Sequence, residues 1–158
     1  MALRKIVTEE DPLLRNKSRE VTEINERIIT LLDDMIETLT LAQGVGLAAP
    51  QVGVLRRIFI INQGIENDEL DFVEFINPRI VKQSENEVEM AEGCLSVPGK
   101  SGLVTRPETV VVEAYDRDGN LFEYEADGLM ARCVFHEYDH LDGILYIDKA
   151  TSVETDDE

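Results

Sequence analysis

Ile24, Ile28, Leu31, Leu32, Met35 and Leu39 recur at spacings of three and four, with mostly polar residues between them. That period lays one apolar stripe along a helix, so it predicts an amphipathic helix over about residues 25–42, closed by Gly44. Arg57-Ile58-Phe59-Ile60-Ile61 reads as a buried strand, and Phe72-Val73-Glu74-Phe75-Ile76 as another that stops before Pro78. Residues 110–115 and 121–125 flank Asp118-Gly119, a pair that favours a hairpin turn. Asp127-Gly128 opens a second helix carrying Leu129, Met130, Cys133, Val134, His136, Glu137, His140 and Leu141, and Gly143 is placed to end it. Strands and helices mix without a regular βαβ order. The predicted fold class is therefore α+β, with small mixed or antiparallel sheets around the second helix and an N-terminal helix beside them.

Length sharpens this picture. A chain of 158 residues suits one compact domain, predicted to span residues 1–150. Residues 151–158 end in Glu154-Thr155-Asp156-Asp157-Glu158 and are expected to form an acidic, disordered tail. Acids outnumber bases 33 to 15, a formal net charge of −18. Such a field repels nucleic acid and anionic lipid, so neither is an expected partner. No apolar run exceeds four residues (Ile58 to Ile61 and Ile144 to Ile147), against about 20 for a membrane span. The first residues lack the apolar core of a signal peptide. With only two cysteines there is no disulfide framework, and a reducing cytoplasm is the expected location.

His136-Glu137-Tyr138-Asp139-His140 is an HExxH motif on the second predicted helix. Residues i and i+4 share a helix face, so both imidazoles can reach one divalent ion, and Glu137 can meet a water there. These are the only histidines in the chain, so a third ligand must be a thiolate or a carboxylate. Cys133 lies on the same helix, and its separation from His140 amounts to about 10 Å along the axis, too far for metal bonds of about 2.0–2.3 Å. Cys94, between Gly93 and Pro98 and outside any predicted helix, is the better ligand. Two rival readings are a structural metal module and an HExxH endopeptidase. The first would need a fourth protein ligand, and no histidine remains to provide it.

A third element, Gly44-Val45-Gly46-Leu47-Ala48-Ala49-Pro50-Gln51, follows the first helix. Together with Glu92-Gly93-Cys94-Leu95-Ser96 and with His136 to Gly143, in that order, it resembles the peptide deformylases, marked by GxGLAAxQ, EGCLS and HExxHLxG segments. The resemblance extends from the N-terminus to about Asp148. It implies a metal-dependent hydrolase that removes the N-formyl group from the initiator methionine of nascent polypeptides and releases formate. It further implies Cys94, His136 and His140 as ligands of one divalent ion, Fe²⁺, with Zn²⁺, Ni²⁺ or Co²⁺ able to replace it. Glu137 becomes the general acid–base; the Gln51 amide and the Leu95 backbone N–H become donors to the oxyanion. The Gly46 backbone is expected to pair with the extended peptide, and Val45, Met90 and Cys133 to shape the methionine pocket, with Leu129 read as core. Three departures stand out. Phe135 occupies a place where the family often has glutamine. Gly99-Lys100-Ser101-Gly102 lacks an arginine frequent in that loop, leaving Lys100 as its cation. The acidic residues after Asp148 replace a basic helix, so ribosome docking through such a helix is not expected.

Overall fold

The computed structural model describes residues 2–155. The predicted first helix, α1 (Glu26–Ala42), starts where the Asn25 side chain accepts a hydrogen bond from the Ile28 N–H. It is closed one residue before Gly44: Gln43 itself takes the left-handed conformation (φ 57°). A short strand, β1 (Gly46–Ala48), follows and pairs antiparallel with β2 (Ile58–Asn62). Every residue of β2 is buried, and its alternation divides the interior in two. Ile58 and Ile60 pack with Leu31, Leu32, Met35 and Leu39 of α1, whereas Phe59 and Ile61 join a second cluster on the opposite face.

The next strand corrects an expectation. β3 (Phe72–Gln83) does not stop before Pro78 but runs through it. Its first half pairs with β2 as far as Ile76, and its second half pairs with β6 (Thr109–Tyr115) across a register shift between Ile76 and Arg79. Pro78 sits inside that bulge, where no ladder hydrogen bond requires an N–H. Asn77 makes the bulge possible in the left-handed conformation (φ 51°), its side chain accepting from the Val21 N–H and donating to the Val21 carbonyl. β6 and β7 (Leu121–Asp127) form the expected hairpin, with Gly119 at φ 83° in its turn. These strands make a five-stranded antiparallel sheet in the order β1-β2-β3-β6-β7.

A three-stranded sheet has no counterpart among the strands that the sequence pattern predicts. It comprises β4 (Glu87–Cys94), β5 (Val97–Pro107) and β8 (Ser152–Thr155), ordered β4-β5-β8. The disordered-tail expectation therefore fails for Ser152–Thr155, which pair with β5 from Lys100 to Leu103; residues 156–158 lie outside the described residues. The pairing works because Gly102 has no side chain, since a Cβ there would stand 2.7 Å from the Ser152 carbonyl oxygen. The second helix, α2 (Gly128–Leu141), packs against β1, β2, β5, β6 and β7, with Val134, Phe135 and Leu141 in the cluster of Phe59 and Phe75. Gly143 (φ 77°) lets the chain turn away tightly against the Arg15 backbone. No helix among the described residues is long and apolar enough to cross a membrane.

Candidate metal centre

Helix α2 turns one face away from solvent, and that face carries His136, Glu137 and His140 at 8%, 4% and 1% exposure. Cys94 ends β4, where the tight return into β5 pairs it with Val97 and aims its side chain at the helix. The ligand atoms of Cys94, His136 and His140 lie within 4.8 Å of one another, with Cys94 Sγ 3.4 Å from His140 Nε2. Donors of about 2.0–2.3 Å bond length around one tetrahedral ion stand roughly 3.3–3.8 Å apart, so a small contraction closes the cage. One thiolate and two imidazoles suit a borderline-soft divalent ion. Burial and the nearby His136 and Arg106 charges hold His140 well below the usual imidazole range, leaving a neutral ring with a lone pair to give. Cys133 is not part of this group. It stays a thiol, because burial and the Glu137 and Glu92 charges push its pKa well up.

Glu92 is the residue that sequence reasoning passed over. Nothing in the Glu92–Ser96 pattern marks it, yet its carboxylate sits 2.8 Å from His136 Nδ1, fixing that ring so that Nε2 faces the centre. Arg106 donates to both Glu92 oxygens (2.5 and 3.0 Å) and to Asp139 (3.0 Å), and Arg132 adds a further bond of 2.6 Å. Burial raises the Glu92 pKa, but the hydrogen bonds from His136 and Arg106 and the Arg106 charge outweigh it and hold the carboxyl at about 2. His136 shifts the other way. Burial alone lowers it, while hydrogen bonds with Cys94 and Glu92 raise it well above its usual value. No spacing rule marks Glu92 or the arginines, because they meet only where β4 and β5 of the three-stranded sheet pack on α2.

Glu137 has one buried oxygen, Oε1, with no hydrogen-bond partner among the described residues, and burial together with the Glu92 charge pushes its pKa up to about 7 against the His136 and Arg106 charges. Such a carboxyl can both take and give a proton near neutrality. Its other oxygen packs on Gly46, where a Cβ would stand 2.9 Å from Oε2 and 2.6 Å from Cys133 Sγ. Gln51, 1% exposed, is oriented by the Ala48 N–H donating to its Oε1. Its Nε2 donates to Ser96 Oγ at 3.1 Å and reaches Cys94 Sγ at 3.5 Å, at the edge of the centre.

A cavity of about 380 Å³ opens beside these groups, lined by Val45, Gly46, Gln51, Leu95, Leu129 and Cys133 among others. Of the residues expected there, Met90 is the exception: it is 39% exposed and outside the lining, where the neighbouring Ala91 takes its place. Leu129, read from sequence as core, instead lines the cavity. Phe135 contributes to the apolar cluster rather than to the centre, and Lys100 forms an ion pair with Glu9 at 3.3 Å.

Three side chains that could hold an ion, two of them on an HExxH helix, together with a carboxyl of raised pKa beside a cavity, are what a metallohydrolase of the HExxH type requires. The sequence matches the family model described as polypeptide deformylase over residues 3–156, and the chain belongs to that family. It is 51% identical over 158 residues to a peptide deformylase of Caldicellulosiruptor bescii, covering all of this chain and 92% of the relative. A peptide deformylase of Agathobacter rectalis is 52% identical over 94% of this chain and 90% of its own length. Among solved structures, the peptide deformylase of Legionella pneumophila superposes with a TM-score of 0.88 at 42% identity, covering 94% of this chain and 86% of that one. For the Thermotoga maritima peptide deformylase the TM-score is 0.89 at 35% identity, with 95% and 99% covered. The chain is thus an enzyme of a metal-dependent hydrolase family that removes the N-formyl group from nascent peptides.

Proposed function

We propose that Cys94, His136 and His140 hold one divalent ion, Fe²⁺ in the cell, and that Glu137 carries the proton during hydrolysis of formyl-methionyl peptides. The observation that supports this best is the convergence of the three ligand atoms within 4.8 Å beside a Glu137 oxygen that has no partner. When bound, the ion supplies Lewis acidity, polarising a carbonyl oxygen and making water a better acid. Glu137 takes the proton of the attacking water and later passes it to the departing amine. Gln51 Nε2 and the Leu95 backbone N–H donate to the former formyl oxygen as charge builds on it. The substrate backbone pairs with the open edge of β1 at Gly46, since among the described residues β1 has a strand neighbour only on its β2 side. Val45, Leu129 and Cys133 receive the methionine side chain.

Residues 2–155 act on this reading as one catalytic unit in the cytoplasm, meeting nascent chains without binding nucleic acid or membrane. The test is incubation of the metal-loaded protein with formyl-Met peptides and with internally cleavable unformylated peptides. Formate release without internal cleavage is expected. Internal cleavage without formate would put an endopeptidase in its place. Cys94→Ala should lose most bound metal while Cys133→Ala keeps it, and a full equivalent in both would remove Cys94 from the ligand set.

A further inference from the structure

We infer that Arg132 is a positioning residue for the metal centre, holding Glu92 where it can orient His136, while its side-chain stem forms part of the cavity wall. The inference rests on the ligand set proposed above. Arg132 stands one turn before His136 on α2 and is 5% exposed, a burial that an arginine tolerates only when its head group is paired. Nη1 donates to the Val104 carbonyl at 2.9 Å and Nη2 to the Val88 carbonyl at 2.7 Å, so β5 and β4 fix the plane of the guanidinium. With that plane fixed, Nη1 points at Glu92 Oε2 from 2.6 Å. Glu92 Oε2 then receives Arg106 Nε and Arg132 Nη1, whereas Oε1 receives Arg106 Nη2 and faces His136 Nδ1. Each oxygen has two partners, and the carboxylate has no freedom to rotate away from the imidazole. Arg106 fills one site on each Glu92 oxygen and turns Nη1 to Asp139, so the second site on Oε2 is filled by Arg132.

The experiment measures Co²⁺ and Zn²⁺ affinity of the apo-protein by chelator competition for Arg132→Met, Arg132→Lys, Glu92→Gln and the double variant Arg132→Met/Glu92→Gln. Outer partners of metal-bound histidines are worth about 10–100-fold in affinity. Arg132→Met should weaken binding about tenfold or more and disturb the thiolate-to-Co²⁺ absorption band, with Arg132→Lys between it and the parent. In the Glu92→Gln background the Met substitution should add less than about twofold, since Arg132 acts through that carboxylate. Full multiplication of the two effects, or an unchanged affinity in Arg132→Met, would overturn the role. If Arg132→Met does not fold, Arg132→Lys decides it: weaker binding in a folded protein supports the role, and parental affinity ends it. Failure of the parent protein to bind one equivalent, by contrast, would defeat the ligand set and not this coupling.

Discussion

Glu137 and Glu92 are both buried carboxylates beside the same histidine, yet they are pushed in opposite directions. Glu137 has an unpartnered oxygen and little to stabilise its charge, so it sits near neutrality; Glu92 has two guanidinium groups and stays ionised. Their variants should therefore fail differently. Glu137→Ala should remain metallated and lose about 10²–10⁴-fold in kcat, measured on formyl-Met peptide with metal content checked in parallel; a loss below about tenfold would argue against the proton-transfer role. Glu92 should show in acid stability. Its folded pKa of about 2 lies below the usual 4.5, so between those values the unfolded chain binds the extra proton. Stability contributed by Glu92 is complete above pH 4.5 and lost as pH falls toward 2. Urea titrations of the apo-protein across that window should show this slope, and Glu92→Gln should flatten it.

Among the elements, β3 decides most about the shape of the larger sheet, because its bulge moves it from one partner to another. Asn77 holds that bulge with a left-handed backbone and two side-chain bonds to Val21. Asn77→Ala gives up two hydrogen bonds worth about 1 kcal/mol each and places an alanine where about 1–2 kcal/mol of strain is expected. Unfolding in denaturant should reveal a loss of about 3 kcal/mol, while kcat of the folded fraction stays at the parental value because Asn77 is outside the cavity lining. The period-3.6 stripe of α1 and the unbroken run of β2 announced themselves in sequence because each is buried as a unit. β4 and β5 did not: Glu87-Val88-Glu89-Met90 alternates but is exposed on both faces, and the Pro98-Gly99-Lys100-Ser101-Gly102 stretch of β5 carries no period.

For the whole molecule, the net charge of −18 and the C-terminal strand bear on how the enzyme meets its substrate. β8 is exposed along its length and none of it lines the cavity. Deleting residues 152–158 uncovers the edge of β5, so a fall of a few degrees in Tm is expected, with kcat/KM on short formyl-Met peptides within about twofold. On the function proposed above, the acids of this segment and of the surface would repel ribosomal RNA most strongly at low salt. Co-sedimentation with ribosomes in low salt should accordingly be weak for the full chain and no weaker after the deletion. Strong pelleting that vanishes with residues 152–158 would reverse this expectation.

Local periodicity and short motifs were enough to determine α1, β2, the β6–β7 hairpin and α2, and with α2 the common face of His136, Glu137 and His140. Those relationships span a few residues, and helix or strand geometry alone fixes them. Choosing Cys94 over Cys133 was also within reach, because one helix rise excludes the nearer cysteine. Only the tertiary structure decided that Glu92 meets Arg106 and Arg132 behind His136, that Ala91 rather than Met90 lines the cavity, and that β8 completes the smaller sheet. Each of these depends on the register of strands brought together from distant parts of the chain. A shift of one residue in that register exchanges the buried face for the exposed one, and nothing local in the sequence specifies it.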